Sequence, residues 1–150
     1  MSNDTTSTKT CQVDFYLLEE PSTGAGIVAC RLALMSWERK QRVFVITTSQ
    51  TAAKQLDTLM WQHPEGRSLP HATAGGLDSA RTAVNIGTLS ALNPVDVVIN
   101  LCPEVVPEPE RFSRILEIVP FANDERQASR VKYKAYRNLG IIPRTQETNT

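Results

Sequence analysis

The sequence is poor in the residues on which several classes of protein depend. It has three cysteines in 150 residues, spaced so widely that neither a disulfide scaffold nor a zinc site is indicated. Its two histidines lie in one proline-flanked segment, so no histidine-rich metal centre is expected. No run approaches the roughly 18 apolar residues of a membrane span, and the first ten residues contain no apolar signal segment. We therefore expect a cytoplasmic protein that binds no metal and no membrane.

The sequence also lacks an excess of charge of either sign. Sixteen basic and sixteen acidic residues give a net charge of zero, which argues against a protein that coats DNA by bulk attraction. The charges are unevenly distributed, because the segment from Arg126 to Arg144 contains six basic residues and no acidic one. The rest of the chain has ten basic residues against sixteen acidic ones, a net charge of −6. We expect any electrostatic binding to be local to the basic segment.

Hydrophobic patterning predicts alternating strands and helices. Unbroken apolar or β-branched runs indicate buried strands, and apolar residues at helical spacing indicate helices. Strands are predicted at 13–18, 42–48, 82–89 and 96–101, with a short strand or extended link at 117–121. Helices are predicted at 23–40, from a cap at Ser49 through Met60, through Phe112, Ile115 and Leu116, and from Asn123 or Asp124 to about Leu139, closed by Gly140.

The remaining segments are predicted to be irregular. Residues 61–80 contain two prolines and three glycines, which is the composition of a loop, and a loop of this length is usually functional or mobile. Residues 1–11 are predicted to be a disordered polar tail and residues 145–150 a frayed end. Residues 12–144 then form a single domain without internal repeats.

The order of elements predicts an α/β fold. Alternating strands and helices imply right-handed crossovers and an open, mostly parallel sheet with helices on both faces, as in nucleotide-binding proteins. In such folds a phosphate loop follows the first strand. The segment Pro21 to Gly26 reads PSTGAG, but Ile27 and Val28 replace the lysine and hydroxyl residue that reach phosphate and magnesium. We therefore predict no functional phosphate loop and no cofactor.

The residue types of a catalytic site do not form a recognisable set. Both histidines lie in a predicted loop, Cys30 and Cys102 lie in apolar elements, and the acidic residues are scattered. We therefore predict a protein that is not catalytic by itself. A nucleotide-dependent enzyme acting at Pro21 to Gly26 stays open as an alternative.

The last predicted helix has the strongest pattern in the chain. At 100° per residue, Ala128, Val131, Ala135 and Leu139 share one side, which we predict to pack against the sheet. The opposite side is predicted to carry four cations around an aromatic ring, namely Arg126, Arg130, Tyr133, Lys134 and Arg137. Such a surface suits an acidic peptide or phosphates. It could equally be a solvated helix face whose cations complement the helix dipole.

The two tryptophans allow different interpretations. Trp61 lies where the second helix meets the long loop, so it either closes the core or anchors a partner. Because that loop is too long to be a mere connection, we expect Trp61 to be partly exposed. Trp37 lies within an amphipathic helix and is predicted to belong to the core.

Several motifs together resemble the chi subunit family of bacterial DNA polymerase III. The resemblance covers nearly the whole chain from Val13 to about Ile142. The most specific motif is the hexapeptide KYKAYR at 132–137, followed by Gly140. The other motifs are FYLL at 15–18, WERKQRV at 37–43, and L-D-x-x-x-W at 56–61 with Pro64, Pro70 and His71 after it.

The resemblance implies a non-catalytic accessory subunit of the clamp-loader assembly. Members of the family link the clamp loader, through the psi subunit, to the acidic C-terminal tail of single-stranded DNA-binding protein, so that contact with DNA is mostly indirect. That tail ends in a proline-phenylalanine pair with a free carboxylate. Carried over by position, Arg130, Tyr133 and Lys134 would bind that tail, with Val119 as part of the floor. The psi-docking region would correspond to Trp61, Pro64 and Leu69. Direct binding of single-stranded DNA by the basic helix stays open as a further alternative.

Overall fold

The structure is a computed structural model that describes residues 11–19, 24–62, 69–74 and 82–148. The predicted polar tail at residues 1–10, part of the PSTGAG segment and Pro64 lie outside the described residues. The strands are β1 (Gln12–Leu18), β2 (Val43–Thr47), β3 (His71–Thr73), β4 (Val84–Thr88), β5 (Val97–Asn100), β6 (Arg114–Val119) and β7 (Arg144–Thr148). The α-helices are α1 (Ala25–Glu38), α2 (Gln50–Gln62) and α3 (Asn123–Asn138).

The seven strands form one parallel sheet in the order β3-β4-β2-β5-β6-β1-β7. Helices α1 and α2 pack against one face, and α3 packs with the connecting segments against the other. Burial on both faces explains the unbroken apolar run of β2, whose five residues are all buried. The predicted α/β fold class is therefore confirmed.

The predicted helix ends at Ser49 and Gly140 are also confirmed. The Ser49 hydroxyl accepts a hydrogen bond from the Ala52 N–H at 3.0 Å, as an N-cap does. Gly140 has a φ of +87°, the left-handed conformation that ends helices and that glycine adopts without a steric cost. None of the described helices has the length and apolar character of a membrane-spanning segment.

The prediction of a helix through Phe112, Ile115 and Leu116 was wrong. Only a 3₁₀ turn forms, at Pro109–Arg111, and residues 114–119 are the strand β6 between β5 and β1. In this strand Ile115 packs on the α3 face and Leu116 on the α1 face, because a strand alternates its side chains. A short apolar run buried on both faces cannot be assigned to a helix or a strand by periodicity alone.

Both predicted irregular ends need correction where the structure describes them. Cys11, assigned to the disordered tail, is 6% exposed and belongs to the core on the α3 face. Residues 145–148, assigned to a frayed end, lie in β7, which pairs in parallel with β1. The Arg144 side chain anchors β7 by donating a hydrogen bond to the buried Asp14 carboxylate at 3.1 Å. The predicted loop at 61–80 likewise contains the short edge strand β3.

Candidate functional site

Helix α3 packs through a different side from the one predicted. Val131 is 70% exposed and Leu139 is 62% exposed, although both belong to the predicted packing side. Tyr136 is fully buried and Lys132 is 6% exposed, although neither belongs to the side of the helix that the hydrophobic pattern predicts to be buried. The helix is therefore rotated so that a lysine and a tyrosine face the sheet.

The cause of this rotation is a carboxylate in the middle of β6. Glu117 is fully buried, and an ionised carboxylate in the interior is tolerated only when it is paired and hydrogen-bonded. Lys132 Nζ lies 2.7 Å from Glu117 Oε1, and the Tyr136 hydroxyl donates to Oε2 at 2.6 Å. Asn100 Nδ2 of β5 donates to the same Oε2 at 2.9 Å. Three donors from two elements thus satisfy the buried Glu117 carboxylate.

The donors of this cluster are themselves satisfied. Lys132 Nζ also donates to the Cys102 carbonyl at 2.6 Å, and the Tyr136 oxygen accepts the Val106 N–H at 3.1 Å. Burial raises the pKa of Glu117, while the hydrogen bonds from Lys132, Tyr136 and Asn100 act in the opposite direction. Burial and the nearby Glu117 carboxylate also raise the pKa of Tyr136. The cluster holds α3 against the sheet in one rotation.

The rotation leaves a row of cations on one side of α3. Arg130, Lys134 and Arg137 are exposed, and none of them makes a hydrogen bond or an ion pair with any described residue. We call these three residues the cationic flank. Free guanidinium and ammonium groups are suited to bind carboxylates or phosphates by charge-assisted hydrogen bonds. The flank therefore offers an anion-binding surface that no described part of the chain occupies.

Arg126 and Tyr133 lie beside the flank but are partly used by the fold. Arg126 donates to the Leu18 carbonyl at 2.8 Å and to the Phe121 carbonyl at 3.2 Å, and its guanidinium lies 5.4 Å from the Phe121 ring centre. Tyr133 is half-buried, 5.5 Å from the Phe15 ring. Of the five residues predicted to form an exposed surface, the three of the cationic flank have no partner among the described residues. Arg126 and Tyr133 also contact the rest of the fold.

A crevice lies next to Arg126 at the carboxyl ends of β1 and β6. Beyond these neighbouring strands the chain forms helices on opposite faces of the sheet, an arrangement that opens a binding crevice in parallel α/β folds. The crevice has a volume of about 350 Å³ and is lined by Leu17, Glu19, Phe121 and Arg126. It combines an apolar wall, Leu17 and Phe121, with one cation and one acid, Arg126 and Glu19, and the cationic flank continues from Arg126 along α3.

Val119 does not line this crevice. Its side chain is 3% exposed and borders a separate cavity of about 200 Å³, on the side of α3 that carries Ala128 and Lys132. The physical reason is strand alternation, which points Val119 at the underside of α3, in the same direction as Glu117. Val119 therefore borders the cavity under α3, whereas Leu17 and Phe121 form the apolar wall of the crevice. Its assignment to the floor of a site shared with Arg130 stays a prediction.

The structure separates the residues predicted to dock a partner near Trp61. Trp61 is 73% exposed, which confirms its predicted exposure, and its ring lies 4.7 Å from the His71 ring. His71 is held by the Leu69 carbonyl at 2.7 Å from Nδ1 and by the Asp57 carbonyl at 3.1 Å from Nε2. Leu69 is 4% exposed and packs into the core, so its side chain adds little to the exposed surface around Trp61, and its assignment to partner docking stays a prediction. Trp37 is half-buried against the same core, as predicted.

Gly26, the last glycine of the PSTGAG segment, has a packing role. A Cβ atom at this position would lie 2.9 Å from a terminal methyl carbon of Leu59, so a larger residue would require that side chain to shift. Across the described residues, no cluster of three or more histidine, cysteine or acidic side chains could hold a metal ion. Gly26 thus has an explanation in the packing of α1 against α2.

Sequence reasoning missed Glu117, Asn100 and Phe121. A signal for the first two was present, because RILEIV places Glu117 inside an apolar run and the apolar run VVIN ends in Asn100. A polar residue in a strand buried on both faces requires a partner. The partner of Glu117 could have been sought among the cations of the basic segment.

Comparison with known proteins gives one family. The family model described as DNA polymerase III chi subunit, HolC, matches residues 11–144. DNA polymerase III subunit chi of Pseudomonas aeruginosa is 32% identical over 130 residues, 86% of this chain and 91% of that protein. The corresponding subunit of Haemophilus influenzae is 30% identical over 135 residues, 88% and 92% of the two chains. That of Escherichia coli is 28% identical over 134 residues, 85% and 91%.

Solved structures of similar shape come from larger proteins. S. cerevisiae Dbp5 bound to RNA and ADP BeF3 matches 92% of this chain and 42% of its own, with a TM-score of 0.67 and 10% identity. T4 UvsW matches 91% of this chain and 41% of its own, with a TM-score of 0.64 and 6% identity. This chain therefore spans less than half of each of those chains. At such low identity the likeness establishes the fold alone.

Proposed function

Because this chain belongs to the DNA polymerase III chi subunit family, we propose that it is the adaptor that links the clamp loader to single-stranded DNA-binding protein. It is a subunit of a DNA polymerase that acts in replication. In the proposed role it binds the acidic C-terminal tail of single-stranded DNA-binding protein through α3 and the psi subunit through the region of Trp61. It is not catalytic itself, needs no cofactor, and meets DNA mostly through its partners.

The unpartnered cationic flank is the observation that carries the tail-binding proposal. Arg130, Lys134 and Arg137 are exposed and unpaired among the described residues, whereas the helix is held by side chains on its other side. The tail would place its carboxylates along this flank and its terminal aromatic ring in the adjoining crevice, against Leu17 and Phe121. Cations matched to carboxylates and an apolar wall matched to an aromatic ring support this orientation.

A calorimetric titration with a peptide of the last ten or so tail residues tests the proposal. A charge-assisted hydrogen bond contributes about 1.5 to 3 kcal/mol, so we expect Arg130→Ala to weaken binding about tenfold to hundredfold. Lys54→Ala is a matched control, because it removes an exposed cation from α2 on the other face of the sheet. A peptide without its terminal phenylalanine should bind the wild-type protein more weakly. Equal affinity in all these combinations would show that the flank is only a solvated surface.

Exposed Trp61 supports the second half of the proposal. Its ring lies on the buried imidazole of His71, so the indole is held in place while most of its surface faces solvent. Such aromatic anchors typically lose about 2 to 4 kcal/mol of binding free energy when replaced by alanine. We expect Trp61→Ala to weaken binding to the psi subunit and to leave tail binding unchanged. Loss of both interactions, or unfolding of the variant, would contradict a separate docking site at Trp61.

A further inference from the structure

A second cationic surface lies where α1 ends, within the WERKQRV motif. Arg39, Lys40 and Arg42 are all exposed. Beside them opens a cavity of about 520 Å³, here named the Trp37 groove, lined by Trp37, Glu38, Lys40, Gln41, Arg42 and Ala83. Helix α1 packs on the face of the sheet opposite to α3. The Trp37 groove is therefore separate from the cationic flank.

Lys40 occupies a backbone position that normally favours glycine. Its φ is +64°, in the left-handed region that strains a residue with a Cβ atom. The Lys40 N–H donates to the Trp37 carbonyl at 2.8 Å and the Gln41 N–H to the Ser36 carbonyl at 3.1 Å, the two bonds of a Schellman helix end. The Lys40 ammonium makes no ion pair with any described residue that would offset this strain. Within the described part of the chain, the Lys40 ammonium is thus a free cation beside the groove, and the strained backbone of this residue lowers the stability of the fold.

The Trp37 ring and the Arg42 guanidinium are held in place beside the groove. Trp37 packs partly against the core, which fixes its ring while leaving part of the indole along the groove. The Arg42 backbone N–H donates to Asp96 Oδ2 at 2.8 Å, and its guanidinium donates to the Thr82 carbonyl at 3.4 Å. A fixed aromatic ring beside oriented cations is the combination that stacks a base and neutralises phosphates in proteins that bind single-stranded nucleic acid.

We propose that the Trp37 groove binds a short stretch of single-stranded DNA, with a base on Trp37 and phosphates at Lys40 and Arg42. Among the described residues that line the groove, the cations Lys40 and Arg42 outnumber the one acid, Glu38, and this balance favours an anionic chain. The aromatic ring favours DNA over an acidic peptide, because only the nucleotide chain brings a flat ring with each charge. This inference goes beyond the proposed adaptor function, since it gives the chain a direct contact with DNA on the face opposite to α3.

Binding of a fluorescein-labelled oligo(dT) of 20 nucleotides, measured by anisotropy between 50 and 200 mM salt, tests the proposal. Lys40→Gly relieves the backbone strain, so we expect its thermal midpoint to rise by about 1 to 4 °C. We expect the same variant to bind the oligonucleotide about two- to fivefold more weakly at low salt. Its slope of log affinity against log salt should fall by about 0.7, the value for one phosphate contact. Weaker binding by a more stable protein is not a folding defect.

Two controls separate this groove from the cationic flank. Arg130→Ala and Lys54→Ala each remove one cation and should leave oligonucleotide binding unchanged, and Lys40→Gly should leave tail-peptide binding unchanged. In a Trp61→Phe background Trp37 is the one remaining tryptophan, and we expect its fluorescence to be quenched when the oligonucleotide binds. The proposal is overturned if Lys40→Gly and Lys40→Glu bind like the wild type or if Arg130→Ala alone weakens binding. It is also overturned if a poly-glutamate peptide displaces the oligonucleotide from the groove at lower concentration than unlabelled oligo(dT).

Discussion

Two lysines in the hexapeptide at 132–137 differ in burial and in their partners. Lys132 is 6% exposed and donates to Glu117 and to the Cys102 carbonyl, whereas Lys134 is exposed and has no partner among the described residues. The two have the same side chain and lie on the same helix. Their difference comes from β6, which places one carboxylate under α3. The comparison shows that the role of a cation is decided by what the opposing element buries.

The same contrast separates the two sides of α3 as a whole. The inward side is polar and anchors the helix through Lys132 and Tyr136, while Val131, an apolar residue, faces solvent. Substitutions on the inward side should therefore change stability, and substitutions on the cationic flank should change binding. The following predictions test this division.

The largest effect is expected when the inward lysine is removed. Lys132→Ala leaves the Glu117 carboxylate buried without its cation, which we expect to destabilise the fold by about 3 to 5 kcal/mol. The matched change Lys134→Ala should shift the free energy of unfolding by no more than about 0.5 kcal/mol. Urea denaturation followed by circular dichroism measures both. If the two variants lost similar free energies of unfolding, Lys132 would not be distinguished from Lys134 as an anchor.

Charge reversal on the cationic flank should give the next largest effect, and in binding rather than stability. Arg130→Glu places a negative charge beside the proposed path of the acidic tail, so we expect binding to weaken about hundredfold, more than for Arg130→Ala. Its free energy of unfolding should stay within about 0.5 kcal/mol of the wild type. Tail-peptide titration at two salt concentrations should show the difference shrinking as salt screens the charges. A variant that unfolds would place Arg130 among the anchoring residues instead.

Removing one hydroxyl from the inward side should cost less than removing the lysine. Tyr136→Phe keeps the buried ring but leaves the Val106 N–H without its acceptor and Glu117 with one donor fewer. We expect a loss of about 1 to 3 kcal/mol in the free energy of unfolding, the usual cost of an unsatisfied buried group. Tyr133→Phe is the matched control, because its hydroxyl makes only a 3.4 Å hydrogen bond to the Pro143 carbonyl. Equal losses in thermal unfolding would argue against the special role of Tyr136.

The smallest effect is expected on the side that hydrophobic periodicity assigns to the core. Val131→Ser removes an apolar side chain that is already mostly in water, so we expect a change within about 0.5 kcal/mol. A valine that was fully buried would contribute roughly 1.5 kcal/mol or more. A loss of that size in denaturant unfolding would show that the predicted packing side is used after all.

Much of the fold could be predicted because parallel α/β proteins repeat one pattern of buried runs and amphipathic helices. The strands at β1, β2, β4 and β5 and all three helices lie where periodicity and capping residues predict them. The first half of β6 was mistaken for a helix, and only the part from Glu117 was predicted as a short strand or extended link. The reason is that its six residues, five of them buried, show no regular alternation of apolar and polar side chains. Strand β7 was mistaken for a tail because it is polar, and it is held by pairing with β1 and by the distant Asp14.

The candidate site was predicted in composition but not in geometry. The concentration of cations after Arg126 is visible in the sequence, and three of them form the cationic flank. That Arg126 is engaged by the Leu18 carbonyl, and that Val119 lies beneath α3, depends on how the ends of β1 and β6 meet that helix. Contacts between residues so far apart in the chain leave no mark in local periodicity.

By itself the sequence determined the order of the elements, the α/β class and the position of the basic segment, because these follow from local periodicity and composition. Only the tertiary structure decided which side of α3 packs and where Leu69 lies. The physical reason lies in the sizes of the competing terms. Burying Val131 and Leu139 would be worth about 1.5 to 3 kcal/mol each, whereas a buried carboxylate without its cation costs about 3 to 5 kcal/mol. The observed rotation avoids that cost and also buries the Tyr136 ring, whose apolar area offsets that of the two aliphatic side chains. Glu117 therefore overrides the apolar stripe and turns Lys132 and Tyr136 inward, and Arg130 and Lys134 are left facing solvent.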